Sequence, residues 1–231
     1  MDHFKNIYAH KAAEYHQMIS VEDADGNLLS ALEQAMPLKG KSILDLGTGT
    51  GRIPLLLNHV GGKIVGLDLN HAMLVEQAVQ KEQVDGNWSL VEGDMHYLPF
   101  PSGWVDVVIA GWAIGHQIGW FPKEWRIHVE KILNEMQRVV KPGGAVIIME
   151  TMSTGSLTPA PPNQDLADYY AFLEKNWMFS RKVIATDYTF KSVSEAAGAV
   201  EFFFGAEMTD LINKNGWARL PEWTGVWSKI V

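Results

Sequence analysis

The segment Ile43–Arg52 reads ILDLGTGTGR, an apolar run that turns through three glycines into a candidate helix start. Glycine has no Cβ to block a ligand and adopts positive φ readily, so Gly47, Gly49 and Gly51 let the backbone approach a bound group closely. The N–H groups of such a turn and the following helix N-terminus favour an anionic partner. Asp45 opens the pattern Asp45-x-Gly47-x-Gly49-x-Gly51, and either faces the ligand or accepts N–H groups of its own turn. Two more carboxylates stand downstream. Asp68 closes a second apolar run in Gly66-Leu67-Asp68-Leu69-Asn70, and Asp94 follows a third in Glu92-Gly93-Asp94-Met95-His96. A carboxylate in such a place accepts hydrogen bonds from two adjacent hydroxyls.

These residues need elements to hold them. Ser42–Leu46, Ile64–Leu69, Ser89–Glu92, Val105–Ala110 and Ala145–Glu150 read as short strands; the fourth is almost wholly apolar, as a strand buried on both faces is. Asn70 caps a helix to about Lys81, and Pro122 opens one to Val140, with Trp125, Val129, Ile132, Leu133, Met136 and Val140 on one face. Lys141-Pro142-Gly143-Gly144 ends it. Alternating strands and helices predict a parallel sheet covered on both faces, with ligands at the carboxyl ends of its strands. Phe4–Ser20, Asn27–Met36 and Gln164–Phe179 read as helices, and Thr151–Asn163 as a long loop of the kind that is often functional. Val183–Phe190 and Glu222–Ile230 read as late strands, with helix over Val193–Asn213 broken near Gly205.

The glycine spacing separates ligand classes. A dinucleotide fingerprint, G-x-G-x-x-G, needs its third glycine where Arg52 stands, and no Gly-Lys-Ser/Thr follows as in a phosphate-binding P-loop. The observed spacing resembles motif I of the class I S-adenosylmethionine-dependent methyltransferases. Gly66–Asn70 resembles their second motif, Glu92–Phe100 (EGDMHYLPF) their third, and Leu133–Ile148 (LNEMQRVVKPGGAVII) their helix, KPGG turn and fifth strand. The resemblance covers about residues 40–150 and is closest to the small-molecule branch that includes ubiquinone and menaquinone biosynthesis enzymes.

The resemblance implies a Rossmann-like, doubly wound α/β fold with a mostly parallel seven-stranded sheet and helices on both faces. It implies S-adenosylmethionine as cofactor, S-adenosylhomocysteine as its product, and methyl transfer by in-line displacement. By the same resemblance Asp45, Gly47, Thr48, Gly49, Gly51, Asp68, Leu69, Asp94, Met95, Ala110 and Gly111 form the cofactor site. Asp68 would take the ribose, Asp94 the adenine amino group, and Met95 would pack near the base. Tyr8–Tyr15 (YAHKAAEY) is similar to a stretch of that branch in which a helix folds over the cofactor, and Tyr15 would close over its methionine end.

The acceptor is expected beyond the fourth strand, where Ala110–His116 reads AGWAIGH. Trp112 would wall its pocket or face the sulfonium. His116 is the general-base candidate, since imidazole titrates near neutral pH. The expected organisation is a single methyltransferase domain over residues 1–231, with an N-terminal helical lid over about 1–36 and a loop–helix cap over about 151–181.

Composition narrows the acceptor. Lys and Arg total 19 against 27 Asp and Glu, a formal charge of −8, which disfavours nucleic acid. There is no Cys, which excludes disulfides, thiolate metal sites and the thiol chemistry of arsenite-methylating relatives. No metal site is expected, since no His-x-x-x-His or carboxylate cluster occurs. With no apolar run long enough to span a bilayer, the expected enzyme is cytoplasmic and acts on a small molecule. Nine Trp, with Trp112, Trp120 and Trp125 near the acceptor side, suggest an apolar or aromatic acceptor. A nicotinamide-dependent oxidoreductase, a non-catalytic cofactor-binding partner subunit and an aminopropyl transferase are the competing readings. Arg52 counts against the first, the intact motifs against the second, and the lack of an acidic signature after strand four against the third.

Overall fold

A computed structural model describes residues 3–60 and 62–231. Met1 and Asp2, the start of the expected lid, lie outside the described residues, as does Gly61. The chain opens with three helices, α1 (His3–His10), α2 (Ala12–Ile19) and α3 (Asn27–Ala35). It alternates through β1 (Ile43–Leu46), α4 (Arg52–Leu57), β2 (Ile64–Asp68), α5 (His71–Gln83), β3 (Ser89–Glu92) and β4 (Val105–Gly111). Then come α6 (His116–Trp120), α7 (Trp125–Val139), β5 (Val140–Thr154) and α8 (Gln164–Lys175). The last third holds β6 (Ser180–Ala185), β7 (Tyr188–Thr189), α9 (Val193–Phe204), α10 (Ala206–Asn215), β8 (Arg219–Leu220) and β9 (Glu222–Ile230).

Seven strands form one sheet in the order β3-β2-β1-β4-β5-β9-β6. β1 through β5 are parallel to one another, and β9 runs antiparallel between β5 and β6. The sheet is mostly parallel, as expected, because helical crossovers link β1 to β2, β2 to β3 and β4 to β5, a loop over residues 93–104 links β3 to β4, and apolar residues fill both faces. One face packs Trp125, Val129, Ile132 and Leu133 of α7 with Tyr169 and Leu173 of α8 and Trp227 of β9. The other packs Leu28 and Leu32 of α3 and Ile53 and Leu57 against Ile43, Ile109 and Ile147. A third cluster joins α2, α9 and α10 to the β7–β8 ribbon. Strand order reverses between β1 and β4, so the crevice at their carboxyl ends is the ligand position this architecture provides. No helix among the described residues is long and apolar enough to cross a membrane.

Several boundaries differ from the expectation. Phe4–Ser20 is two helices, because Lys11 leaves helical geometry at φ −134°. Pro122 lies in a turn ahead of α7, which starts at Trp125. Thr151–Thr154, expected as loop, continues β5, with β-branched threonines pairing along β9 across an irregularity between Thr151 and Ser153. Val183–Phe190 divides between β6 and the separate β7–β8 ribbon.

Candidate functional site

The glycine turn is held from below and from the side. Gly47, Gly49 and Gly51 have φ of 63°, 55° and 98°, and a Cβ on Gly47 would meet the Ala113 Cβ at 2.5 Å. Asp68 Oδ2 accepts from Gly49 N at 2.8 Å, and its Oδ1 accepts from Asn70 N at 2.8 Å. One side chain thus fastens the first turn to the end of β2. Gln77 of α5 lies buried beneath. With its amide donating to the Gly49 carbonyl (3.0 Å), it accepts from the Trp88 indole N–H (3.1 Å).

A cavity of about 550 Å³ lies over this turn. Gly47, Gly49, Asp68, Leu69, Asp94, Met95 and Gly111 of the expected cofactor residues line it, as do Tyr15, Trp112 and His116. Four expected residues are set behind the wall. Ala110 is wholly buried in the β4 core, and the Thr48 hydroxyl and Gly51 pack on Gln77. Asp45 is 1% exposed inside the turn, and its Oδ2 has no hydrogen-bond partner. Burial pushes the Asp45 carboxyl up to about 7; the Thr48 hydroxyl opposes this and the charge of Asp68 adds to it.

The two cavity carboxylates differ in environment. Burial pushes Asp68 up, against the N–H groups of Asn70, Gly49 and Leu69. Burial also pushes Asp94 up, but the N–H groups of His96 outweigh it and the carboxyl sits below its ordinary range. Both the backbone N and the ring Nδ1 of His96 bond to Asp94 Oδ1, at 2.8 and 2.6 Å, leaving Oδ2 for a ligand donor.

A second cavity, of about 720 Å³, adjoins the first, and Tyr8, Tyr15, Trp112, His116 and Trp120 line both. His116 is the histidine that lines both cavities. Its Nε2 lies 2.9 Å from the Tyr8 hydroxyl, and its ring stacks on Trp120 with centroids 5.1 Å apart. Trp112 adopts φ 52°, an uncommon conformation for a bulky residue, and its N–H donates to the Met149 carbonyl at 2.7 Å. The Arg52 guanidinium covers one face of its indole at 4.0 Å. Arg52 in turn pairs with Glu22 at 2.7 Å, and that carboxylate side chain is 2% exposed. Burial acts to lower the Arg52 pKa, but Glu22, Tyr15, Tyr188 and Glu222 raise it further, so the guanidinium stays charged.

Tyr8, Glu22, Arg52 and Glu150 are the residues that sequence reasoning left out of the site. Tyr8 was visible only within the YAHKAAEY stretch, and Arg52 only as a break in the dinucleotide fingerprint. Glu22 and Glu150 carry no local signal; the fold brings them from the end of the first helical pair and from the sheet. Among the described residues no group of His, Asp and Glu is placed to hold a metal ion.

Residues 44–148 match a family model described as a methyltransferase domain. A demethylmenaquinone methyltransferase of Lactococcus lactis is 32% identical over 154 residues, 64% of this chain and 58% of that protein. Another from Shouchella clausii is 30% identical over 194 residues, 81% of this chain and 74% of that protein. A solved SAM-dependent methyltransferase from Aquifex aeolicus has a TM-score of 0.60 at 17% identity, covering 100% of both chains, a likeness of fold. The chain spans 58%, 46% and 62% of the length of three of the curated relatives it matches.

Proposed function

This chain belongs to the methyltransferase family, and from that membership we propose that it transfers a methyl group from S-adenosylmethionine to a small-molecule acceptor. One observation carries the reading: two cavities share Tyr8, Tyr15, Trp112, His116 and Trp120, the first holding Asp68 and Asp94 over the glycine turn, the second extending past Glu150 among aromatic walls. The glycine turn fits the nucleoside cofactor, since a Cβ on Gly47 would enter the space between the turn and Ala113. Bound there, the cofactor supplies an electrophilic methyl group on a sulfonium.

The chain's own residues bind, orient and exclude water. Asp68 accepts from Gly49 N on one oxygen and from Asn70 N on the other, and the lone pairs left on the two oxygens would take the adjacent ribose hydroxyls. Asp94 Oδ2 would take the adenine amino group, with Met95 against the base and Leu69 at the rim. Tyr15 and Trp112 stand at the junction, where holding the acceptor atom about 3–3.5 Å from the methyl carbon supplies much of the rate. His116, at the same junction, would receive a proton from the acceptor, and Tyr8 would fix its ring. We read residues 3–36 as a lid, since α1 and α2 supply Tyr8 and Tyr15, and residues 151–181 as a cap over the acceptor side. The net negative charge supports a small molecule over nucleic acid.

Titration with S-adenosylhomocysteine tests the reading directly. Micromolar binding with a raised melting temperature is expected; no response to millimolar ligand, with a clear response to NAD, overturns it. A second expectation concerns His116. His116→Ala is expected to lower turnover about 10²–10⁴-fold, the usual contribution of a general base, while S-adenosylhomocysteine affinity changes much less. Tyr8→Phe is expected to give a smaller loss in turnover. Full turnover in His116→Ala removes it from the proton-transfer role.

A further inference from the structure

We infer that the acceptor is an amine, bound as its ammonium form between the carboxyl group of Glu150 and the aromatic walls of the second cavity. This rests on the methyl-transfer reading above. Glu150 lies near the carboxyl end of β5, lines that cavity, and is only 5% exposed. Its Oε1 accepts from Gly115 N at 2.7 Å and lies 3.4 Å from the Tyr169 hydroxyl. Its Oε2 approaches Gly115 so closely that a Cβ there would stand 2.8 Å away, which places the carboxyl group beside the residue that precedes His116. No described ion pair engages Glu150. Burial pushes its carboxyl up to about 8, against the Gly115 N–H and the Tyr169 hydroxyl, as befits a carboxyl group with no cation beside it.

The other charges of this cavity leave a cation as the complementary ligand. Arg52, the cavity's own guanidinium, is matched by Glu22 at 2.7 Å, and Asp165 adds a further carboxylate to the wall. An anionic acceptor would meet Glu150 and Asp165, and among the described residues lining this cavity Arg52 is the one Lys or Arg. Tyr15, Tyr170, Tyr188 and Phe203 offer ring faces and edges around the same space, and aromatic faces attract ammonium groups. Arg52 resting on Trp112 at 4.0 Å shows a cation already accommodated in this manner.

The step balances. The ammonium nitrogen gives a proton to the imidazole of His116, and its lone pair forms the new N–C bond. The C–S bond breaks with its electron pair remaining on sulfur. The positive charge passes from sulfur to the methylated nitrogen, which the Glu150 carboxylate faces, and the imidazolium releases its proton to water.

Calorimetry on the enzyme saturated with S-adenosylhomocysteine tests the inference with three probes that share a phenethyl group and differ in charge: phenethylamine, 2-phenylethanol and 3-phenylpropanoate. Phenethylamine is expected to bind at least about tenfold more tightly than either of the others. With S-adenosylmethionine it is expected to yield N-methylphenethylamine, read by mass spectrometry. Glu150→Gln is expected to erase the preference and leave S-adenosylhomocysteine affinity unchanged. Equal or weaker binding of the amine by the wild type overturns the inference, whether or not the variant folds, as does a preference that survives in Glu150→Gln. Failure of S-adenosylhomocysteine itself to bind is a different result and overturns the methyl-transfer reading.

Discussion

Replacing Arg52 with methionine is expected to lower folding stability by about 3–5 kcal/mol, the cost of stripping one partner from a buried ion pair. The Glu22 side chain is 2% exposed and lies 2.7 Å from the guanidinium. Glu222, itself 2% exposed and pushed far up by burial, stands in the same cluster and offers Glu22 no compensation. Burial pushes the Glu22 carboxyl up, and Arg52 is the largest influence pulling it back. Without Arg52 the folded-state pKa of Glu22 rises further above its unfolded value. A raised carboxyl contributes stability that is present at low pH and lost as pH climbs through the folded pKa. The deficit of Arg52→Met is therefore expected to widen as pH rises above the ordinary carboxylate range, measured by urea denaturation at each pH. Adding Glu22→Gln is expected to recover part of the loss, since no bare charge then remains buried. A variant as stable as wild type, or a deficit that narrows with rising pH, contradicts this account. Activity is expected to fall as well, because Arg52 covers one face of Trp112, whose backbone holds φ 52° at the junction of the two cavities.

How far the sequence disclosed this site follows from the range over which each contact acts. The glycine turn and the strands around it were legible because their causes are local. Positive φ selects glycine, a strand buried on both faces shows an unbroken apolar run, and Asn70 caps α5 by accepting from Ala72 N at 3.0 Å. The break between α1 and α2 was not legible, because Lys11 carries no proline or glycine signal; the break lies where the helical pair supplies Tyr8 and Tyr15 to the junction. Of the acceptor side only Trp112 and His116, next to the fourth strand, were legible, for a related reason. Tyr8 meets His116 across 108 positions, and Phe4 meets Phe203 with ring centroids 5.2 Å apart, so only the fold brings them together. The tryptophans give a mixed result. Trp112 and Trp120 line the acceptor cavity, whereas Trp125 and Trp227 are buried in the core with Tyr169 and Tyr170. Residue type alone does not separate an aromatic that packs a core from one that walls a pocket, because both roles call for the same large apolar surface.

Asp68→Ala is expected to weaken S-adenosylhomocysteine binding by about 1–3 kcal/mol, roughly 5- to 150-fold in Kd. Two losses combine. Under the proposed assignment the ribose hydroxyls lose their acceptor, and the turn loses the clamp that joins Gly49 N and Asn70 N to one carboxylate at 2.8 Å each. The second loss costs the free protein less than it costs the complex. Both N–H groups belong to residues that line an open cavity, where water can replace the carboxylate. The bound state excludes that water, so the penalty falls mainly on affinity. The expected signature is therefore a small change in melting temperature beside a large change in Kd, read by calorimetry on the same preparation. Asp68→Asn separates the two parts. Its amide oxygen still accepts from one backbone N–H, while its NH₂ group opposes the other, so it is expected to fall between wild type and Asp68→Ala in affinity. Unchanged affinity in a folded Asp68→Ala variant contradicts the ribose role. A large loss of melting temperature with unchanged Kd assigns Asp68 to the turn alone, and the nucleoside would then depend on Asp94, whose Oδ2 is left open by the two bonds His96 makes to Oδ1.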